Sequence, residues 1–191
     1  MNITLLGNCQ TLALTWYLQE LNSNFNVVWI QFEKAEHLKN VILKDYCKGK
    51  FISIISNINE GIERLKCSDY IIYQPMQEKT SPSYNYKQLK KYAKKAKLIS
   101  ISSMFYNPND PDQKLLKGMI KRAEEYNIDI PAHKMIERHG SNIKINNPTK
   151  PRHPNTFYFL ELIREICIIT GWDYYSNEQY NQYLKKGYPF G

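Results

Sequence analysis

The residues best placed to do chemistry near the N-terminus are Gly7-Asn8-Cys9-Gln10. They fall between an apolar run, Asn2 to Leu6, and a helical pattern in which Leu14, Tyr17, Leu18 and Leu21 line one face. A turn at that junction sets Cys9 at a helix N-terminus. Unpaired backbone N–H groups and the positive end of the helix dipole there stabilise a thiolate. Gly7 permits a tight turn and the close approach of a ligand. Asn8 and Gln10 can donate hydrogen bonds to a phosphate or to the oxyanion of an acyl transfer. A cysteine where strand meets helix also serves as a small packing residue, and the sequence leaves both readings open.

A nucleophile or an acyl acceptor needs a base, and the chain has four histidines. His37 falls in a surface helix, and His133 and His139 in a polar, irregular region. His153 directly precedes Pro154, where a late helix begins, so it projects from a loop near a helix N-terminus. Such a position disfavours the imidazolium and keeps the imidazole available as a base near neutral pH. The alternative is an N-cap or surface histidine. Around it stand Lys134, Arg138, His139, Lys144, Lys150 and Arg152, a group able to hold the phosphates of a cofactor or to serve as a solvated loop.

Composition narrows the classes. A chain of 191 residues with 42% hydrophobic and 13% aromatic residues can bury its own core without disulfides or metals. The net charge of +8 favours a phosphate-bearing partner. Part of that charge is Lys87, Lys90, Lys91, Lys94, Lys95 and Lys97, which fit the outer, solvated side of one helix. The four cysteines, Cys9, Cys47, Cys67 and Cys167, form no CxxC pair, so neither a zinc site nor a redox dithiol is expected. Cys67 and Cys167 read as ordinary buried thiols. No Walker or dinucleotide fingerprint and no nucleic-acid-binding motif occurs. No signal peptide and no membrane-length apolar run is seen, which makes the cytoplasm the expected compartment.

The elements that must position these residues alternate strand and helix. Strands are expected at Asn2–Leu6, Val27–Ile30, Tyr70–Tyr73 and Leu98–Ser102, while Phe51–Ser56 is apolar but short. Helices are expected after Cys9, over Ala35–Tyr46, near Gly61–Leu65 and through the lysine-rich stretch. The turn cluster Asn107 to Asp112 then leads to a helix over Gln113–Tyr126. Residues 127–152 show no convincing periodicity. A long helix starts near Pro154, carries Phe159, Leu162, Ile163 and Ile166 on one face, and ends at Gly171; a short one covers Asn177–Lys186. The expected fold is α/β: a central parallel sheet in a three-layer sandwich of the SGNH or flavodoxin-like kind, plus a C-terminal helical portion. A single domain over residues 1–191 is expected, with residues 1–106 as sheet core and residues 107–191 completing the site. Ligands of such sheets sit beyond the carboxyl ends of the strands. Three segments end there: Gly7 to Gln10, Gln74-Pro75-Met76, and Ser102 to Tyr106.

Gly7-Asn8-Cys9-Gln10, taken with Arg152-His153-Pro154-Asn155 before a late helix, resembles the WcbI family of polysaccharide-biosynthesis proteins over residues 3 to about 170. The resemblance implies a cytoplasmic enzyme of capsule or surface-polysaccharide assembly that binds coenzyme A and acetylates a sugar. The layout is also similar to SGNH (GDSL-type) hydrolases and acyltransferases, with Cys9 at the nucleophile position and His153 at the base position. Lys150 stands where those enzymes carry an aspartate, and no Gly-x-Asn-Asp segment occurs, which leaves Gln74 as the candidate substitute for its oxyanion donor.

The expected function is therefore an acetyl-coenzyme A-dependent acyltransferase acting on a sugar. Cys9 and His153 are the catalytic candidates, with Gly7, Asn8, Gln10, Gln74 and Asn155 at the oxyanion or substrate. Tyr106, Lys134, Arg138, His139 and Arg152 are the candidates for holding the cofactor. Cys9 either forms an acyl-enzyme or stands by while His153 deprotonates the sugar hydroxyl. A cysteine esterase or thioesterase, and a non-catalytic coenzyme A or nucleotide module, are the alternatives. Neither a metal nor a specific nucleic acid is expected, and a homo-oligomer is left open.

Overall fold

The computed structural model describes residues 1–31, 53–104, 113–143 and 154–186. The expected helix over Ala35–Tyr46 and the turn cluster Asn107 to Asp112 lie outside them. So do His37, Cys47, Tyr106, Lys144, Lys150, Arg152 and His153. The chain divides into two compact units, Met1–Ser100 and Ile101–Pro189.

The first unit is built on five parallel strands: β1 (Asn2–Gly7), β2 (Asn26–Gln31), β3 (Ser53–Ile55), β4 (Tyr70–Tyr73) and β5 (Lys97–Ser100). Their order is β3-β2-β1-β4-β5. That order reverses direction between β1 and β4, which makes the crevice beyond their carboxyl ends the ligand position of a doubly wound sheet. Flavodoxin-like sheets run 2-1-3-4-5, and the difference here is that the chain steps outward from β2 to β3 before returning past β1 to β4.

Register explains how the two faces are covered. Leu6, Ile30 and Tyr73 stand side by side across the three central strands. They share a core with Leu65 of α2 (Ile58–Lys66) and Leu89 of α3 (Tyr86–Tyr92). Because strand side chains alternate, Leu5, Trp29 and Ile72 point to the other face. There the Trp29 indole donates to the Thr11 hydroxyl of α1 (Cys9–Leu21) at 2.9 Å. Helix α1 is buried through nine consecutive residues, Gln10 to Leu18, so the one-sided apolar stripe expected of it is only part of its buried surface. Near the amino ends of β1 and β2, Arg64 donates to the Thr4 hydroxyl and to the Ile3 and Asn26 carbonyls.

The lysine-rich stretch is less helical than its spacing suggests. Helix α3 stops at Tyr92, and Lys94 and Lys95 follow in a bend before β5. All six lysines are exposed, in keeping with a solvated face.

The second unit holds α4 (Lys114–Tyr126), α5 (Ala132–His139), α6 (Thr156–Thr170) and α7 (Asn177–Lys186). Helix α5 corrects the expectation of irregular chain over residues 127–152. Its buried Ala132, Met135 and Ile136 sit at helical spacings of three and four, a pattern too short to stand out among polar neighbours. Helix α6 begins after Asn155, which caps it, two residues later than the Pro154 start expected. It ends on Gly171 at φ 75°, a left-handed stop that glycine accepts without strain. Among the described residues no helix is long and apolar enough to cross a membrane.

Candidate functional site

The turn after β1 is held by hydrogen bonds through Asn8. The Asn8 N–H donates to the Gln74 side-chain oxygen at 2.9 Å. The Asn8 carbonyl accepts from the Thr11 N–H at 2.9 Å and the Thr11 hydroxyl at 2.7 Å. Its side-chain oxygen caps α1 by accepting from the Gln10 N–H at 2.9 Å. Asn8 therefore shapes the turn before it can serve a ligand, a use that asparagine's preference for N-caps foreshadows.

Gln74 reaches this turn because the ladder continues one residue past β4: its N–H donates to the Leu6 carbonyl at 2.9 Å. The side chain is 4% exposed and lies against Gly7. A Cβ built on Gly7 would overlap the Gln74 amide oxygen and come within 2.8 Å of the Thr11 methyl, so no larger residue fits. The amide is only half used. Its oxygen is fixed as acceptor by the Asn8 N–H, which assigns the other end as the –NH₂ group. That nitrogen is buried with no hydrogen-bond partner. A buried donor left unsatisfied costs about 1–3 kcal/mol, so a group that accepts from it would be bound with that much relief.

Cys9 opens α1 and is half-buried. Its own N–H and that of Gln10 stabilise the thiolate, as a helix N-terminus should, but burial outweighs them and pushes the thiol above its ordinary pKa. Burial thus works against the thiolate that a helix N-terminus favours. Cys67 is exposed, against the expectation of burial, because it ends α2 at the surface; Cys167 is buried as expected.

The structure brings Gly7, Asn8, Cys9, Gln10 and Gln74 together at the carboxyl ends of β1 and β4. Asn155 belongs to the second unit, and both ends of its amide are engaged: the oxygen accepts from the Tyr158 N–H at 3.3 Å and the nitrogen donates to the Asn142 carbonyl at 2.8 Å. It is the N-cap residue of α6. Of the residues expected at the cofactor, Lys134 is exposed and 3.7 Å from Glu137, and Arg138 pairs with Glu165. His139 lies 3.5 Å from Glu161 with its ring edge-on to Phe157.

Glu161 was not singled out from the sequence, yet it organises the second unit. This carboxylate, 5% exposed on α6, meets His139, Arg164 at 3.5 Å and the Tyr180 hydroxyl at 3.2 Å. Arg164 in turn stacks over Tyr174 and Tyr180. Burial and the neighbouring carboxylate push the Tyr180 phenol up to about 12, so it stays a donor. The only sequence signal for Glu161 is a charge inside the otherwise apolar run Phe157 to Ile163, on the side of the helix opposite the Phe159 stripe.

The sheet order and the turn define an α/β protein with a cluster of polar groups at the switch point of its parallel sheet. No protein-family model matches the chain, and no curated protein matches it.

Proposed function

We propose that this protein is a coenzyme A-dependent acyltransferase, an O-acetyltransferase in the simplest case, acting on a sugar of capsule or surface polysaccharide. The observation that carries the reading is the Gln74 amide, buried beside Gly7 and Cys9 with an –NH₂ group that has no acceptor. A thioester carbonyl oxygen seated there gains a hydrogen bond that strengthens as charge develops on it, which is the behaviour of an oxyanion donor. The resemblance of Gly7-Asn8-Cys9-Gln10 and Arg152-His153-Pro154-Asn155 to the WcbI family supplies the substrate class and the SGNH-like arrangement of the site.

The raised thiol of Cys9 favours direct transfer over an acyl-enzyme. In that step the sugar oxygen attacks the thioester carbon while a base, the role the resemblance gives to His153, takes the hydroxyl proton. The tetrahedral centre collapses by breaking the C–S bond, and the proton passes to the departing coenzyme A sulfur. Cys9 then lines the turn as a small neutral group.

Coenzyme A and acetyl-coenzyme A at one hundred times their dissociation constants should stabilise the protein by about 2.7 kcal/mol in a thermal-shift assay. Absence of a shift with either would overturn the reading. Acetyl transfer that survives in Cys9→Ala supports the direct route, whereas an acetyl group found on Cys9 by intact-protein mass spectrometry would establish the covalent one.

A further inference from the structure

The second unit contains a buried, uncapped helix start. Helices α1, α2, α3 and α6 each begin at an asparagine whose side chain accepts from the first turn. Helix α5 begins at Pro131, which has no side chain able to cap. The first N–H groups of any α-helix have no carbonyl partner within it. Here those of Ala132 and His133 belong to residues that are 0% and 8% exposed, so water does not reach this end as it reaches an ordinary surface terminus.

Two side chains at the same place are also short of partners. The His133 Nδ1 and the Ser102 hydroxyl are both buried without a hydrogen bond. Ser102 is 5% exposed and is fixed to this segment: Ile101 pairs with Ile130 in parallel register, and the Ser102 N–H donates to the Ile130 carbonyl at 3.2 Å. That register sets Ser102 beside Pro131, one residue before α5 starts, at the spacing of about 5 Å between paired strands. The Cα–Cβ bonds of a helix lean toward its N-terminus, so the imidazole of His133, second in α5, is carried back over the same end. Two backbone donors, a ring nitrogen and a hydroxyl thus converge on one buried point.

All four can donate a hydrogen bond to an oxygen, and the helix dipole adds positive potential. We propose that Ser102, His133 and the Ala132 and His133 N–H groups form a binding site for a phosphate group, a reading independent of the acyltransferase one. The phosphate source, inorganic phosphate or the phosphate of a nucleotide or coenzyme A, is resolved by the choice of probe.

The test is a titration of the ¹⁵N-labelled full chain, followed by amide resonances, with sodium phosphate at constant ionic strength and then with adenosine 3′,5′-bisphosphate. Saturable shifts of the Ala132 and His133 amides are expected, with about tenfold weaker binding in Ser102→Ala and in His133→Gln, as for loss of one hydrogen bond to a charged group. Saturation by phosphate alone identifies the free anion. Saturation only by the bisphosphate identifies a phosphate carried on a larger ligand. Resonances that do not move with either probe would overturn the site, as would affinity unchanged in both variants. Amide spectra of the unliganded variants establish whether each has folded.

Discussion

Gln74 in the first unit and Glu161 in the second are both polar side chains some 95% buried, and they use their hydrogen-bonding capacity in opposite ways. Glu161 is surrounded: His139, Arg164 and Tyr180 meet its two oxygens, and Tyr174 lies under the arginine. A carboxylate so provided for is a structural joint between α5, α6 and α7. Gln74 offers its oxygen to Asn8 and leaves its nitrogen unused, packed against a glycine whose missing side chain makes room for it. Burial therefore does not separate structure from function in this molecule. The distinction lies in whether the buried group's valences are filled from within the chain.

The comparison can be broken by substitution. Gln74→Leu keeps the volume and removes the donor; acetyl transfer should fall about hundredfold in kcat, the usual loss for one oxyanion donor, with a stability cost of about 1 kcal/mol for the Asn8 N–H left without its acceptor. Equal activity in the variant would return Gln74 to the structural class. Gly7→Ala should destabilise by about 2 kcal/mol in urea denaturation, since its Cβ overlaps Gln74 and Thr11 in a packed turn. Glu161→Ala should cost a similar amount, about 2 kcal/mol, because it strands Arg164 and His139, but with transfer chemistry in the first unit unaffected. Loss of activity out of proportion to loss of fold would move Glu161 into the functional class.

The smallest effect is on pH dependence. Burial raises the thiols of Cys9 and Cys167, the latter to about 12 from an ordinary 9.0. A group whose folded pKa lies above its unfolded one stabilises the fold fully below the unfolded value and loses that contribution as pH rises toward the folded value. Urea midpoints should hold between pH 7 and 8 and decline above about pH 9, less steeply in Cys167→Ala. Alkylation of Cys9 by iodoacetamide should likewise be slow at neutral pH and accelerate only above the ordinary thiol range. Fast labelling at pH 7 would show an activated Cys9 and reinstate the covalent route.

Much of this was legible in the chain because the signals were local. The apolar run ending at Gly7, the strand Tyr70–Tyr73 stopped by Gln74-Pro75, the helix closed by Gly171 and the helix Asn177–Lys186 all carry their own boundaries. Long-range competition hid the rest. The dipole argument for Cys9 was sound, but the size of the opposing burial depends on packing that no spacing reveals. Helix α5 offers only Ala132, Met135 and Ile136 as an apolar stripe, and its missing cap removed the usual start signal. The lysines from Lys87 to Lys97 keep helical spacing beyond Tyr92, yet α3 ends there and β5, expected from Leu98, takes in Lys97.

The central claim concerns one nitrogen, and it can be watched directly. In ¹⁵N spectra of the full chain, the side-chain amide of Gln74, assigned with Gln74→Leu, should shift saturably on titration with a non-hydrolysable acetyl-coenzyme A analogue. The Asn8 and Cys9 backbone amides should move with it. Saturation of binding with the Gln74 amide unmoved would contradict the claim, as would no binding of the analogue at all.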